Sequence, residues 1–199
     1  SPEDSLEHAD YVCIGEGEQA ILDIARALDR GESLESVNSL CYLRDGDLVR
    51  NPLHPLLEDL DTLPILEQIS PNTWVMIRGS IVPMTGDHLR RYTRYGTAAY
   101  YVMATRGCPF HCTYCTNAAW QKLYPKWKVR RRSVEHVMRE LDAVVAEYPN
   151  LRYVIFADDC FLACDMDFLR EFCQAYQERI PAKIVAKSTP AFITEDRIA

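Results

Sequence analysis

The chain has 199 residues, 48% of them hydrophobic, with a formal net charge of −7 and a pI near 5.3. That is enough length and apolar content to bury a core, while no apolar run reaches the roughly 20 residues a helix needs to cross a bilayer. The acidic balance argues against a general nucleic-acid binder, and no charged-then-apolar leader pattern opens the sequence.

The first segment, Asp10-Tyr-Val-Cys-Ile14, is a short apolar run that ends in Gly15-Glu16-Gly17-Glu18. A helical pattern follows, with Ile21, Ile24, Ala25 and Leu28 at the spacing of one face and Gly31 as the stop. Strand, glycine turn and helix in that order form the unit of an open parallel α/β sheet. The stretch from Leu40 to Asn51 reads as a β-hairpin turning at Asp45-Gly46. From Asn51 the character changes: Pro52, Pro55, Pro64, Pro71 and Pro83 break any long helix, so the stretch reads as a surface linker.

A second α/β region begins near Thr97, where Ala98–Ala104 has the composition of a buried strand. Ser133 opens a helix carrying Val134, Val137, Met138, Leu141, Val144, Val145 and Tyr148 at helical spacing, and Pro149-Asn150 stops it. Tyr153–Ala157 is the next strand, with Asp158 and Asp159 at its end. A helix bearing Phe168, Leu169, Phe172, Cys173 and Tyr176 follows, then a third strand at Lys183–Ala186. This alternation predicts parallel crossovers. In such sheets sites are built from loops at the carboxyl ends of the strands. The loop after the first strand and the acidic pair after the second should therefore open at the same end.

The loop after the first strand holds Cys108-x3-Cys112-x2-Cys115. Three thiols within eight residues are soft ligands suited to an iron–sulfur cluster. A zinc site would want a fourth ligand, for which His111, Cys160 and Cys164 are the nearby choices. Cys160 and Cys164, with Phe161 and Leu162 between them, read as buried thiols, and Cys13, Cys41 and Cys173 sit in core-like patterns. With eight cysteines in all, the chain is too large and too periodic for a disulfide-stapled scaffold. A reducing compartment, the cytoplasm, is the expectation. Lys126-Trp-Lys-Val-Arg-Arg-Arg132 reads as a solvated basic loop.

The wording Arg106-Gly-Cys-Pro-Phe-His-Cys-Thr-Tyr-Cys115 resembles the signature of the radical S-adenosylmethionine superfamily, in the branch that carries a cobalamin-binding domain ahead of the radical domain. The resemblance implies that Cys108, Cys112 and Cys115 hold a [4Fe–4S] cluster whose fourth iron takes the amino and carboxylate groups of S-adenosylmethionine. One electron then cleaves that cofactor to methionine and a 5′-deoxyadenosyl radical. It implies further that Tyr114 lies against the adenine and that Asp158 or Asp159 holds the ammonium, in a position where many members have Gly-Gly-Glu. Gly15, Glu16 and Gly17 resemble the last strand–turn–helix of a cobalamin-binding Rossmann domain, near the nucleotide tail. The cobalt-ligating histidine motif of that domain is not in this sequence, which leaves cobalamin binding open.

The expected organisation is α/β throughout. Residues 1–50 form the end of a Rossmann-like cobalamin-binding domain, 51–96 a linker with the family's Leu-Asp-x-Leu-Pro element, and 97–199 the first units of a partial (β/α)6 barrel. The implied activity is cobalamin-dependent methylation or ring-forming chemistry on a small-molecule substrate, fed by an external one-electron reductant of flavodoxin or ferredoxin type. Two other readings stay open: a methylthiotransferase-like enzyme, and a non-catalytic zinc or iron–sulfur module. No residue is assignable as a substrate acid, base or radical partner.

Overall fold

A computed structural model describes residues 2–65, 72–92 and 95–198; Pro71 of the expected linker lies outside the described residues. In chain order the elements are α1 (Pro2–Leu6), β1 (Val12–Cys13), α2 (Glu18–Arg30), β2 (Leu40–Arg44), β3 (Asp47–Arg50), β4 (Trp74–Ile77), β5 (Ser80–Pro83), α3 (Gly86–Tyr92), β6 (Ala99–Val102), β7 (Thr105–Arg106), α4 (Thr116–Leu123), β8 (Arg130–Arg131), α5 (Val134–Glu147), β9 (Tyr153–Phe156), α6 (Met166–Arg179), β10 (Lys183–Ala186) and α7 (Glu195–Ile198). Packing divides the chain into two compact units, Ser1–Glu58 with Phe110–Trp127, and Asp59–Pro109 with Lys128–Ala199.

In the first unit β1, β2 and β3 form an antiparallel sheet in that order. Asp45 and Gly46 have φ of 55° and 90°, the mirror-image turn whose twist suits a two-residue hairpin. The parallel unit expected at the start is not what β1 joins, since Val12 faces Cys41 and Cys13 faces Leu40 across an antiparallel pair. The reason is that α2 and its loop return the chain beside β1: Ile14 donates its backbone N–H to the Ser39 carbonyl at 2.8 Å. Gly31, at φ 66°, ends α2 as expected, and the backbone there bonds to Ala27 and Leu28. The buried face of α2 differs from the expected one. Ala20 and Ala27 are buried, and Ile24 packs on the small cluster of Ala27, Val37 and Leu40. Ile21 and Leu28 are 61% and 62% exposed.

The second unit holds a parallel sheet in the order β10-β9-β6, with Val154 between Tyr100 and Ile184. One face, carrying Tyr100, Val102, Val154 and Phe156, packs with α5 and α6 in a continuous core. The α5 pattern is buried as its spacing requires, and the Ser133 hydroxyl accepts the His136 N–H at 3.1 Å as its N-cap. On α6 the Phe172 ring meets Phe156 and Phe161 edge-on, each at 5.4 Å. Cys173, one position round the helix, is exposed, and Cys13 is exposed as well, so of the three cysteines expected in the core Cys41 alone is buried.

Residues 74–92 are more regular than a connector. β4 and β5 pair through a turn at Arg78 and Gly79, with φ of 50° and 82°, and α3 follows. Pro83 ends a strand of a two-stranded ribbon, where a missing N–H is tolerated. The basic run is a solvated loop only in its first part, where Lys126 and Lys128 are exposed outside any helix or strand. Arg130 and Arg131 form β8, paired antiparallel with β7, and Arg130 is 4% exposed. Arg131 pairs with Asp165 and lies over the Phe168 ring, and Arg132 pairs with Glu140.

Candidate functional site

The cysteine segment connects β7 to α4. Gly107 enters it at φ 103°, and Cys115 occupies the N-cap position of α4 with its N–H on the Cys112 carbonyl at 3.0 Å. Cys108 and Cys115 are half-buried and Cys112 is exposed. Among the described residues no three His, Cys, Asp or Glu side chains are gathered as metal ligands. What the segment presents is a donor set of three thiols closely spaced in sequence, and that chemistry fits a three-thiolate cluster. Tyr114 is 92% exposed, with both ring faces open for stacking.

The two acidic residues after β9 have different environments. Asp158 is fully buried. Its carboxylate accepts the Ala104 N–H at 3.2 Å, the Thr105 N–H at 2.5 Å and the Thr105 hydroxyl at 2.6 Å. Burial raises its pKa, against the lowering effect of the Thr105 and Ala104 hydrogen bonds. These bonds tie the carboxyl end of β9 to that of β6, so the two loops do open at one end of the sheet, as strand order predicts. Asp159 is exposed.

The glycine turn packs within the first unit. Gly15 sits at φ 93°, and a methyl group there would overlap the Tyr124 hydroxyl. The Glu16 N–H donates to that same hydroxyl at 3.2 Å, and the Glu16 carboxylate accepts the Leu57 N–H at 3.0 Å. Gly17 is exposed at the N-cap of α2. Tyr124 stacks on Trp120 with centroids 6.2 Å apart and lies 6.5 Å from Trp127. Sequence reading passed over Tyr124; the one signal was a run of three aromatics, Trp120, Tyr124 and Trp127, following the cysteines.

A buried polar network links β6 to α5. The Tyr100 hydroxyl donates to Glu140 at 2.6 Å, and the other Glu140 oxygen lies 2.6 Å from Arg132. Arg132 also donates to His136 Nδ1 at 2.8 Å. Asp61, from the Leu-Asp-x-Leu-Pro element, accepts the Ser133 N–H at 2.9 Å, and neighbouring Leu60 is 2% exposed. Burial works to raise the Asp61 pKa, but the Ser133 bonds with His136 and Arg132 outweigh it and hold the carboxyl below its usual value. Cys160 and Cys164 are buried thiols as expected; burial pushes Cys164 up to about 11.

Comparison with known proteins places this arrangement. No family model matches the chain. A methyltransferase of Pyrococcus horikoshii, itself uncharacterized, is 30% identical over 152 residues, covering 76% of this chain and 28% of the relative. The anaerobic magnesium-protoporphyrin IX monomethyl ester cyclase of Rubrivivax gelatinosus is 28% identical over 177 residues, covering 85% of this chain and 27% of the relative. Among solved structures, the cobalamin-dependent S-adenosylmethionine radical enzyme OxsB superimposes with a TM-score of 0.68 at 19% identity, over 99% of this chain and 26% of that one. In fold the chain is similar to cobalamin-dependent S-adenosylmethionine radical enzymes. The radical S-adenosylmethionine methyltransferase TsrM of Kitasatospora setae, solved with cobalamin and a [4Fe-4S] cluster, shares this fold at a TM-score of 0.52 and 15% identity, over 85% of this chain and 30% of that one. The chain spans about a quarter to a third of the length of the curated relatives it matches. Among the described residues no helix is long and apolar enough to cross a membrane.

Proposed function

We propose that the chain is the cofactor-binding part of a cobalamin-dependent radical S-adenosylmethionine enzyme that methylates, or closes a ring on, a small-molecule substrate. The carrying observation is the triplet Cys108, Cys112 and Cys115 on the loop that follows the first strand of a parallel sheet. When bound there, a [4Fe–4S] cluster supplies the electron that cleaves S-adenosylmethionine to a 5′-deoxyadenosyl radical. In this reading Tyr114, open on both faces, stacks on the adenine. Exposed Asp159 takes the ammonium through a charge-assisted hydrogen bond, and buried Asp158 braces the loop from behind. Gly15, Glu16 and Gly17 border the cobalamin side, Gly17 being the member left open.

The domain assignment that goes with this is 1–50 for the end of the cobalamin domain, 51–96 for the linker and 97–199 for the start of the barrel. The protein's share of the chemistry is to position the cofactors and exclude stray hydrogen donors. A flavodoxin- or ferredoxin-type reductant and a reducing cytoplasm complete the reading. The similarity to a methyltransferase and to a ring-forming cyclase supports it, as does OxsB, solved with aqua-cobalamin and S-adenosylmethionine bound.

Anaerobic reconstitution of the full-length protein with iron and sulfide tests this. We expect a reduced-cluster electron paramagnetic resonance signal that changes on adding S-adenosylmethionine and is lost in Cys112→Ser. Stoichiometric zinc with no such signal would refute the reading.

A further inference from the structure

The helix that follows the third cysteine is tied at both of its ends. At its start Cys115 is the N-cap of α4 and the Asn117 amide donates to the Cys115 sulfur at 3.7 Å, while further along the helix the Gln121 amide reaches back to donate to the Phe110 carbonyl at 3.0 Å. Any rotation or slide of α4 therefore moves Cys112 and Cys115 with it. At its far end Tyr124 seats its hydroxyl on the Gly15-Glu16 turn, under the Glu16 N–H. The fit is close enough that Gly15 has no room for a side chain. The stacked Trp120 and neighbouring Trp127 hold the Tyr124 ring in place. All these groups lie in one compact unit.

We propose that Tyr124 is a positioning residue through which the glycine turn sets the placement of the Cys112 and Cys115 thiolates. Gly15 combines a left-handed φ of 93°, which favours glycine by itself, with a close approach of the tyrosine hydroxyl. Rigid elements with fixed attachments at both ends transmit displacement along their axis, and ligands must be held close to their productive geometry by the residues behind them. A shift of the turn, whatever binds beside it, is passed to two of the three cysteines. The effect is reciprocal, since coupling between two positions acts equally in both directions. The proposal rests on the cluster reading above for its consequence, though not for its geometry.

The test uses the full-length protein with Tyr124→Phe and Gly15→Ala. The first removes one hydrogen bond and keeps the ring; the second pushes on the hydroxyl. In the metal-free protein we expect Cys115 alkylation to speed up about fivefold in Tyr124→Phe, the equivalent of one hydrogen bond, with Cys173 unchanged as an internal control. In the reconstituted protein we expect the chelator concentration that strips half the cluster to fall by a similar factor, and the reduced-cluster resonance to broaden. Because the alanine methyl meets the tyrosine hydroxyl first, adding Tyr124→Phe to Gly15→Ala should cost less than the sum of the two. Should Gly15→Ala fail to fold, Tyr124→Phe decides by itself. Unchanged Cys115 alkylation together with unchanged cluster retention in Tyr124→Phe would overturn the proposal. Faster alkylation in a protein that takes up no iron would sink the cluster reading and leave the coupling standing.

Discussion

The unit containing the parallel sheet buries Phe156, Phe161, Phe168 and Phe172 together with most of α5. The unit containing the glycine turn closes over Ala27, Val37 and Leu40 and leaves Ile21 and Leu28 of α2 largely exposed. Both are α/β in composition, yet one is built around a deep core and the other around individual ties: a hairpin turn, a glycine cap, and the Tyr124 hydroxyl on the Gly15-Glu16 turn. Apolar periodicity thus marks which residues are able to be buried, and the local depth of the core decides which of them are.

The largest effect that sharpens this contrast is Phe172→Ala. Phe172 has no solvent exposure, and losing such a ring costs about 3–5 kcal/mol. In denaturant titration this should appear as a clear drop in midpoint for the parallel-sheet unit. Ile21→Lys and Leu28→Lys should each change stability by about 0.5 kcal/mol or less. Comparable losses at both places would break the comparison.

Glu140→Ala is next. It would leave Arg132 and the Tyr100 hydroxyl without their buried acceptor, a change that costs roughly 3 kcal/mol when one partner of a buried ion pair is removed. Thermal unfolding reads it directly, and a shift no larger than that of a surface substitution would show the network to be dispensable.

Two carboxylates of the same unit should respond to pH in opposite senses. The Asp61 pKa is lowered in the fold, so its contribution is present above the ordinary carboxyl value and lost as pH falls through the folded one. The Asp158 pKa is raised, so its contribution is present below the ordinary value and lost as pH rises through the folded one. Asp61→Asn should therefore flatten the acid arm of the stability curve, and Asp158→Asn the arm above it. Parallel changes in the two variants would contradict the burial assigned to Asp158.

The smallest effect is chemical. Cys112 is exposed, while Cys164 is buried and raised to about 11, so thiolate-directed alkylation near neutral pH should label Cys112 well before Cys164. Mass spectrometry of partially labelled protein would show the order, and equal rates would mean the second unit opens readily.

Much was legible from local pattern. The seven apolar positions of α5, the Asp45-Gly46 turn, the Gly31 cap and the strands β6, β9 and β10 all follow from spacing and turn chemistry, because neighbours a few residues apart determine them. The cysteine triplet was legible for the same reason: its donors are adjacent in sequence. Tertiary structure alone decided the rest. It turned β1 antiparallel, folded Arg130 and Arg131 into a strand against Thr105 and Arg106, and separated two adjacent aspartates into a buried brace and an exposed carboxylate. It also placed Tyr124 on Gly15 across 109 residues of chain. Such contacts join positions with no sequence relation, and which partner a side chain finds depends on where the backbone has already brought it. The thiols could be read in the letters; what holds them in place could not.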